Sequence, residues 1–308
     1  MGRNSGDRAE KINAIDELVK RVGTYSTSAE LAELFLFIKK FPHMSPYNMF
    51  LIHMQKPGSS FVATAEEWQS RYKRNIKPGA RPLVILMPFG PVEFVFELGD
   101  TERGEEEGEP LPEQIERPFR VKGALNERIW ARLLRNLERY GIAYYEADHG
   151  VDAAGRIQRR KEETYKLVAK GKDAVFVRQC YNLIVNRNHT IEEKCATIAH
   201  ELGHLFCGHL GRPSGYLDLW SERCRLSKNT MEFEAECVAS LACGRLGIDS
   251  ASERYLADYL HTGPDGLRRE PPPFSVESIL KATGMVEAML QQSKQPPKRL
   301  IKEEKKPE

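Results

Sequence analysis

The stretch His200-Glu201-Leu202-Gly203-His204 constrains this chain of 308 residues more than any other feature. Side chains four positions apart lie on one face of an α-helix, so the two histidines can offer ring nitrogens to the same metal ion. Glu201 follows the first histidine and can reach a water molecule beside that ion as a general base. Acidic residues before the motif and apolar residues within it favour a helix. The pattern therefore predicts a zinc site with its own base.

A second helix contains candidates for the third ligand that a catalytic zinc site needs. Residues 231–241 are mostly apolar but include three acids, of which Glu232 and Glu236 share one helix face while Glu234 points away. Carboxylates beside a buried face need a partner. We expect Glu232 to be the third ligand and Glu236 to orient a histidine ligand from behind, with the reverse assignment left open. Glu234 is expected on a solvated face.

His209 offers a different third ligand. A metzincin site has a third histidine six positions after the second, with a glycine midway. Here His209 lies five positions after His204, and Cys207 stands where the glycine would be. The spacing favours the glutamate-ligand pattern, so His209 is expected at a helix end or in a loop.

The composition is that of an ordinary globular protein. Hydrophobic residues make up 41% and charged residues 29% of the chain, and the formal net charge is +2. A nucleic-acid surface would therefore have to be a local patch. No apolar run is long enough to cross a membrane or to form the core of a signal peptide, which predicts no membrane partner. The six cysteines form no CxxC pair, which favours reduced thiols and a cytoplasmic location.

Sequence patterning predicts an α+β fold with two domains. Residues 1–98 combine amphipathic segments with two strand-like stretches, which predicts a small α+β domain. Residues 99–118 are acidic and rich in glycine and proline, which is typical of a solvated linker or insertion. Residues 119–292, which contain the metal motif, are expected to form a mostly helical second domain with a small sheet, gluzincin-like in that the expected third ligand is a glutamate. Residues 293–308, with paired prolines and runs of lysine and glutamate, predict a disordered tail.

A basic segment lies between a predicted helix and a predicted strand of the first domain. It contains no acid and five cations: Arg71, Lys73, Arg74, Lys77 and Arg81. Such residues can contact phosphates, and Tyr47, Trp68 or Tyr72 can stack on bases, as in proteins that bind single strands. The alternatives are a solvated turn with aromatic side chains in the core, and a DNA mimic built from the acidic residues 100–117.

Two parts of the sequence resemble known families. Residues 119–260, in which strands precede the HELGH helix and an ExxAE helix, resemble ImmA/IrrE-type metallopeptidases. Glu232 falls where that family's third ligand is expected. Residues 30–98 resemble the N-terminal domain of ArdC-type antirestriction proteins, through four matching stretches: Met44-Ser45-Pro46-Tyr47-Asn48, Gln55-Lys56-Pro57, Trp68 and Lys77-Pro78-Gly79-Ala80-Arg81.

These resemblances imply a zinc metallo-endopeptidase that acts on a protein substrate, such as a repressor or another regulator, joined to a domain that binds single-stranded DNA. The alternative is an ArdC-like antirestriction protein that binds single-stranded DNA and whose zinc site is structural or regulatory. In the peptidase, Glu201 would carry the proton of the attacking water to the leaving amine. Strand 181–185 could pair with an extended substrate. The candidates for stabilising the oxyanion are Tyr181, Tyr216, Tyr255 and His261.

Overall fold

The computed structural model describes fourteen stretches of the chain: residues 28–39, 41, 44–87, 92–111, 125–148, 154–169, 175–211, 222–248, 250, 252, 256, 270–291, 294–297 and 300–301. The chain forms two compact units, Met1–Val121 and Lys122–Glu308. Both units contain helices and strands, so the fold class is α+β, as the sequence predicts. Most of the predicted tail, 293–308, lies outside the described residues.

The first unit contains short helices and short antiparallel strands. The strands form a three-stranded sheet in the order β1-β4-β3 and a separate pair, β2 with β5. The elements are α1 (Ser28–Lys39), α2 (Pro46–Gln55), β1 (Val62–Ala63), α3 (Ala65–Ser70), β2 (Arg74–Ile76), β3 (Leu83–Ile85), β4 (Glu93–Glu97), a 3₁₀ turn (Leu98–Asp100) and β5 (Thr101–Arg103).

Local sequence explains where the helices of this unit begin. Ser45 caps α2 by accepting a hydrogen bond from the Asn48 amide, and Pro46 suits the first helical position because it has no amide hydrogen to leave unpaired. Thr64 and Glu67 form a reciprocal capping box at α3. That helix directs Trp68 into the core, where the ring is fully buried and its Nε1 donates to the Phe96 carbonyl at 2.8 Å. Trp68 is thus a core residue and not a surface for stacking bases.

The acidic stretch after β4 folds back onto its own unit. Strand β5 pairs with β2 in the register Arg74↔Arg103 to Ile76↔Thr101. The backbone amide of Glu109 also donates to the Arg71 carbonyl at 3.0 Å. The described part of this stretch is mostly exposed, but it belongs to the fold of the first unit and is not a free linker, because a strand pairing and complementary charges hold it against the basic segment.

The second unit contains a mixed sheet and longer helices that pack against one another. The elements are α4 (Glu127–Arg139), β6 (Ile142–Ala147), β7 (Gly155–Ala169), β8 (Val175–Asn186), α5 (Ile191–Phe206), α6 (Lys228–Leu246) and α7 (Val276–Gln291). The strand order is β6-β8-β7, in which β6 runs parallel to β8 and β7 runs antiparallel to it.

Strand β8 is the central strand of this sheet. Tyr181 pairs with Ile142 of β6 on one side and with Arg159 of β7 on the other. The hypothesis that strand 181–185 receives a substrate chain is therefore wrong, because both of its edges are already hydrogen-bonded. Within the described part of the chain, β7 forms an edge of the sheet.

A buried carboxylate joins β4 to the loop after α2. Glu97 is 7% exposed and accepts hydrogen bonds from the Ser60 amide at 3.1 Å, the Ser60 hydroxyl at 2.8 Å and the Gly99 amide at 2.6 Å. Burial alone would raise the pKa of Glu97, but these bonds and the nearby Lys56 ammonium outweigh burial and lower it below its ordinary value of 4.5.

Glu97→Gln should destabilise the first unit near neutral pH. The amide cannot accept from all three donors, and hydrogen bonds to a charged group contribute roughly 1.5–3 kcal/mol. Because the folded pKa of Glu97 is depressed, its contribution is present above about pH 4.5 and is lost as the pH falls through the folded pKa. Urea unfolding at about pH 7 and about pH 3 checks this, and an equal difference from wild type at both would contradict it.

Candidate metal centre

The two helices that contain the metal motif begin at well-formed caps. Thr190 and Glu193 form a capping box at α5, with the Thr190 amide donating to Glu193 at 2.8 Å and the Glu193 amide donating to Thr190 at 3.3 Å. Ser227 caps α6 by accepting from the Thr230 amide at 3.1 Å. These caps set the register in which each helix presents its side chains.

Helices α5 and α6 approach closely at a pair of small residues. A Cβ built on Gly203 would lie 3.0 Å from the Ala235 Cα, 3.1 Å from the Ala235 carbonyl oxygen and 3.2 Å from the Val238 Cβ. These distances are tighter than ordinary contacts, so glycine is what allows the two backbones to come this near. The approach brings Glu232 and Glu236, three positions before and one after Ala235, up to the histidines of α5.

Three ligand atoms from these helices converge on one point. His200 Nε2 and His204 Nε2 are 3.2 Å apart, and Glu232 Oε2 is 3.6 Å from each of them. Ligands about 2.0–2.1 Å from a tetrahedral zinc ion lie about 3.3–3.4 Å from one another. The separations therefore fit a small tetrahedral cation, with a fourth position left for water or substrate.

The second acid of α6 lies behind one of these histidines. Glu236 Oε1 is 3.4 Å from His200 Nδ1, the ring nitrogen that does not face Glu232. Burial would raise the pKa of Glu236, but the contacts with His200 and Ser252 lower it. Hydrogen bonds to His200 and His204 hold the pKa of Glu232 well below its usual range. Both acids are therefore carboxylates, and of the two it is Glu232 that reaches both Nε2 atoms.

Glu201 lies between the histidines and the edge strand. Its side chain is largely buried, and Oε2 accepts a hydrogen bond from the Ile157 amide of β7 at 2.9 Å. Burial is the main reason that the pKa of Glu201 is raised, which suits a group that must accept a proton near neutral pH. Beside it is a cleft of about 410 Å³ that both His200 and Glu201 line.

The prediction for one neighbouring residue is wrong. Glu234 was expected on a solvated face, but its side chain is fully buried and accepts from Arg223 Nη1 at 2.6 Å and Nη2 at 2.7 Å. His209 lies in the turn just after α5, as the sequence predicts. Its ring is buried, 3.0 Å from His204 Nδ1 and 2.9 Å from Glu234 Oε2. Burial, above all, lowers the pKa of His209.

Sequence reasoning missed Arg223 altogether. The arginine precedes α6, and its guanidinium neutralises Glu234 while its backbone amide donates to the Gly208 carbonyl at 2.8 Å. The signal in the sequence that could have pointed to such a partner is Glu234, an acid in a mostly apolar helix, two positions after the expected ligand Glu232.

Of the candidates for stabilising the oxyanion, Tyr181 is buried and its hydroxyl donates to the Gly211 carbonyl at 3.2 Å. Tyr216, Tyr255 and His261 lie outside the described residues.

The basic segment of the first unit is matched by acids and carbonyls. Arg71 Nε is 2.5 Å from Glu109, and Lys73 Nζ is 3.2 Å from Glu106. The remaining cations are Arg74, which donates to the Thr101 hydroxyl at 2.7 Å, Lys77, which donates to the Gly99 carbonyl at 2.8 Å, and Arg81, which is exposed. The five residues predicted to contact nucleic acid thus lie in one segment, but four of them have partners within their own unit.

Comparison with known proteins gives one family match. Residues 161–243 match the family model described as Peptidase_M78, IrrE N-terminal-like domain, which confirms the IrrE-type resemblance over these residues. No curated protein matches the chain. A crystal structure of the antirestriction protein ArdC from the R388 plasmid, in a metal-free form, is similar at 15% identity, with 81% of this chain and 84% of that chain covered and a TM-score of 0.33. A TM-score of this size leaves the activity to be argued from the site itself.

Among the residues that the structure describes, no helix is both long enough and apolar enough to cross a bilayer.

Gly203→Ala should weaken both the fold of the second unit and its metal site. The added methyl group would meet the Ala235 backbone at 3.0–3.1 Å, so α5 and α6 would have to separate. Overpacking of this kind costs roughly 1–3 kcal/mol. Thermal unfolding and zinc titration check both effects, with Gly211→Ala as a control for a glycine that has no neighbour within 4 Å of its built Cβ, although its φ of +69° strains that variant too. Wild-type zinc affinity in Gly203→Ala would contradict the argument that this contact sets the ligand spacing.

Proposed function

We propose that the second unit is a zinc-dependent metallo-endopeptidase in which His200, His204 and Glu232 hold the ion. The observation that carries this proposal is the convergence of two imidazole nitrogens and one carboxylate oxygen, 3.2–3.6 Å apart. Zinc accepts this mixture of nitrogen and oxygen ligands, whereas calcium and magnesium prefer sites made of oxygen alone. Glu236 is proposed to orient His200 through its Nδ1.

Glu201 is proposed to be the general base. When bound, zinc would polarise the scissile carbonyl and make the attacking water more acidic. Glu201 borders the cleft, and burial raises the pKa of its carboxyl, so it can take a proton from the water and deliver it to the leaving amine. A structural zinc site is closed by four protein ligands and needs no buried acid beside the ion. The buried Glu201 carboxylate therefore favours a catalytic site.

The edge of β7 is the proposed binding place for an extended substrate. The Ile157 amide points away from β8 and donates to Glu201, so the outer edge of β7 lies beside the proposed base. A peptide could add there as a further strand, through main-chain hydrogen bonds that do not depend on sequence. The residues that line the cleft include five small ones: Ala154, Gly155, Ala196, Ser250 and Ser252. The resemblance is the reason to propose a regulatory protein as the substrate, and the six cysteines without a CxxC pair are the reason to propose a cytoplasmic location.

Glu201→Gln should retain zinc and lose hydrolysis. The amide keeps the shape and can still accept from the Ile157 amide, but it cannot accept the proton of the water. Loss of a general base costs roughly 10²–10⁴-fold in rate. The matched variant His204→Ala should lose zinc and hydrolysis together.

Elemental analysis gives the zinc content, and mass spectrometry of a peptide library digested by each protein gives the cleavage rate. Cleavage by Glu201→Gln at the wild-type rate would refute the assigned base. Wild-type zinc content in His204→Ala would refute the assigned ligands.

A second candidate function is binding of single-stranded DNA by the first unit, with a structural or regulatory zinc site in the other. The observation that favours it is the kind of ion pair that Arg71 and Lys73 make. Both pairs are exposed at the surface, with 55% and 75% of the Glu109 and Glu106 side chains accessible. Ion pairs exposed to this degree are screened by solvent and contribute little to stability, so a polyanion could displace the acids.

Glu106→Gln with Glu109→Gln should therefore strengthen the binding of single-stranded DNA. Removing two competing carboxylates frees Arg71 and Lys73 for phosphates, and each additional phosphate contact should steepen the salt dependence. Fluorescence anisotropy of a labelled oligonucleotide at two salt concentrations checks this. The control, Glu66→Gln, removes an acid that forms no described pair with the basic segment. No binding by either protein at low salt would remove this candidate.

A further inference from the structure

A row of buried side chains leads from the proposed ligand His204 into the core of the second unit. His204 Nδ1 lies 3.0 Å from His209 Nδ1, and His209 Nε2 lies 2.9 Å from Glu234 Oε2. The His209 side chain is 1% exposed and the Glu234 side chain is not exposed at all. Neither residue faces the cleft, so their contact with the metal centre runs through His204 alone.

Ring chemistry fixes the direction of these hydrogen bonds. A histidine that offers Nε2 to a metal carries its proton on Nδ1, so His204 must donate and His209 Nδ1 must accept. His209 then carries its own proton on Nε2, which donates to the Glu234 carboxylate. Each ring nitrogen of His204 and His209 therefore binds the metal, donates or accepts, and in neither hydrogen bond do both partner atoms carry a proton.

The far end of the row is firmly anchored. Arg223 donates to both carboxylate oxygens of Glu234, at 2.6 and 2.7 Å, and the Ser275 amide donates to Oε1 at 2.7 Å. The near end is fixed as well, because the His209 amide donates to the His204 carbonyl at 2.9 Å. A side chain held at both ends has little freedom to rotate.

We propose that His209 and Glu234 form a relay that orients His204 and keeps it in the tautomer that binds the metal. This inference rests on the proposed function, since it requires His204 to be a ligand. In many zinc sites a carboxylate accepts a hydrogen bond directly from the histidine ligand. Here the His209 imidazole lies between His204 and the Glu234 carboxylate, so it accepts a hydrogen bond from His204 and donates one to Glu234. Both are positioning residues, because neither touches the reacting atoms.

A second metal site is the competing explanation for the same residues. Cys207, His209 and Glu234 each have a ligand atom within 4.8 Å of the others. Both oxygens of Glu234, however, already accept from Arg223, so a cation there would face a guanidinium at close range. Both nitrogens of His209 are also in use. The relay accounts for all these contacts without a second ion.

Three substitutions of His209 separate its two hydrogen bonds. In His209→Asn the side-chain oxygen can take the place of Nδ1 and accept from His204. In His209→Gln the side-chain nitrogen can take the place of Nε2 and donate to Glu234, but no acceptor faces His204. His209→Leu removes both bonds. His53→Leu, at the 5%-exposed histidine of the first unit, is the control for loss of a buried imidazole.

Zinc affinity of the full chain, measured by competition with a chelator, is the first readout. We expect His209→Leu and His209→Gln to bind zinc roughly 10–100-fold more weakly than wild type, as is typical when the group behind a ligand is lost. His209→Asn should recover most of that affinity, and His53→Leu should be unchanged. In ¹H–¹⁵N spectra of the zinc-loaded proteins, the Nδ1 proton of His204 should exchange slowly in wild type and His209→Asn and rapidly in His209→Leu.

The outcomes distinguish this relay from the function on which it rests. If wild type binds no zinc, the proposed function fails and the relay fails with it. If wild type binds zinc and His209→Leu binds it equally well, the relay alone is refuted. Equal losses in all three variants would mean that His209 acts by packing, which also refutes it. Two zinc ions per chain in wild type and one in His209→Leu would establish the second metal site instead.

Discussion

The close approach of α5 and α6 at Gly203 and Ala235 is the constraint on which the proposed metal centre depends. The histidines come from one helix and the third proposed ligand from the other, so the spacing of the ligand atoms is set by the distance between two backbones. A Cβ on Gly203 would lie 3.0 Å from the Ala235 Cα, so a larger residue would require the two helices to move apart. Rigid helices joined at such a contact hold ligands more precisely than loops would, and a metal site tolerates little error in ligand position.

The sequence predicts much of this centre because helical periodicity is local. The spacing of His200 from His204, and of Glu232 from Glu236, follows from 3.6 residues per turn, and the structure brings these four side chains together. The fold class is predicted for the same reason, since strand and helix patterns are properties of short segments. The division of roles between the two glutamates needed the actual helix crossing, which no single helix encodes.

The errors arose where a residue's environment depends on distant parts of the chain. Glu234 was assigned to solvent because it lies opposite the ligand face of α6, an inference that assumes a helix with one buried side. Helix α6 is buried on several sides, and the residues that enclose Glu234 come from positions 223 and 275. Strand 181–185 was misassigned for a similar reason. Its sequence pattern identifies a strand but does not show that β6 and β7 pair with its two edges. The acidic stretch resembled a linker because its basic partners, Arg71 and Lys73, lie 38 and 33 residues before Glu109 and Glu106 in the sequence.

Charge compensation explains why the centre suits a cation. The Glu234 carboxylate is neutralised by Arg223, whereas Glu232 and Glu236 face imidazole rings. Burial alone would lower the pKa of His200, yet hydrogen bonds to Glu232 and Glu236 and the nearby carboxylates raise it to about 10. The carboxylates therefore favour a positive charge between the two helices. A divalent cation would supply that charge and would satisfy the proposed ligand atoms, so the same electrostatics favours binding of a metal ion.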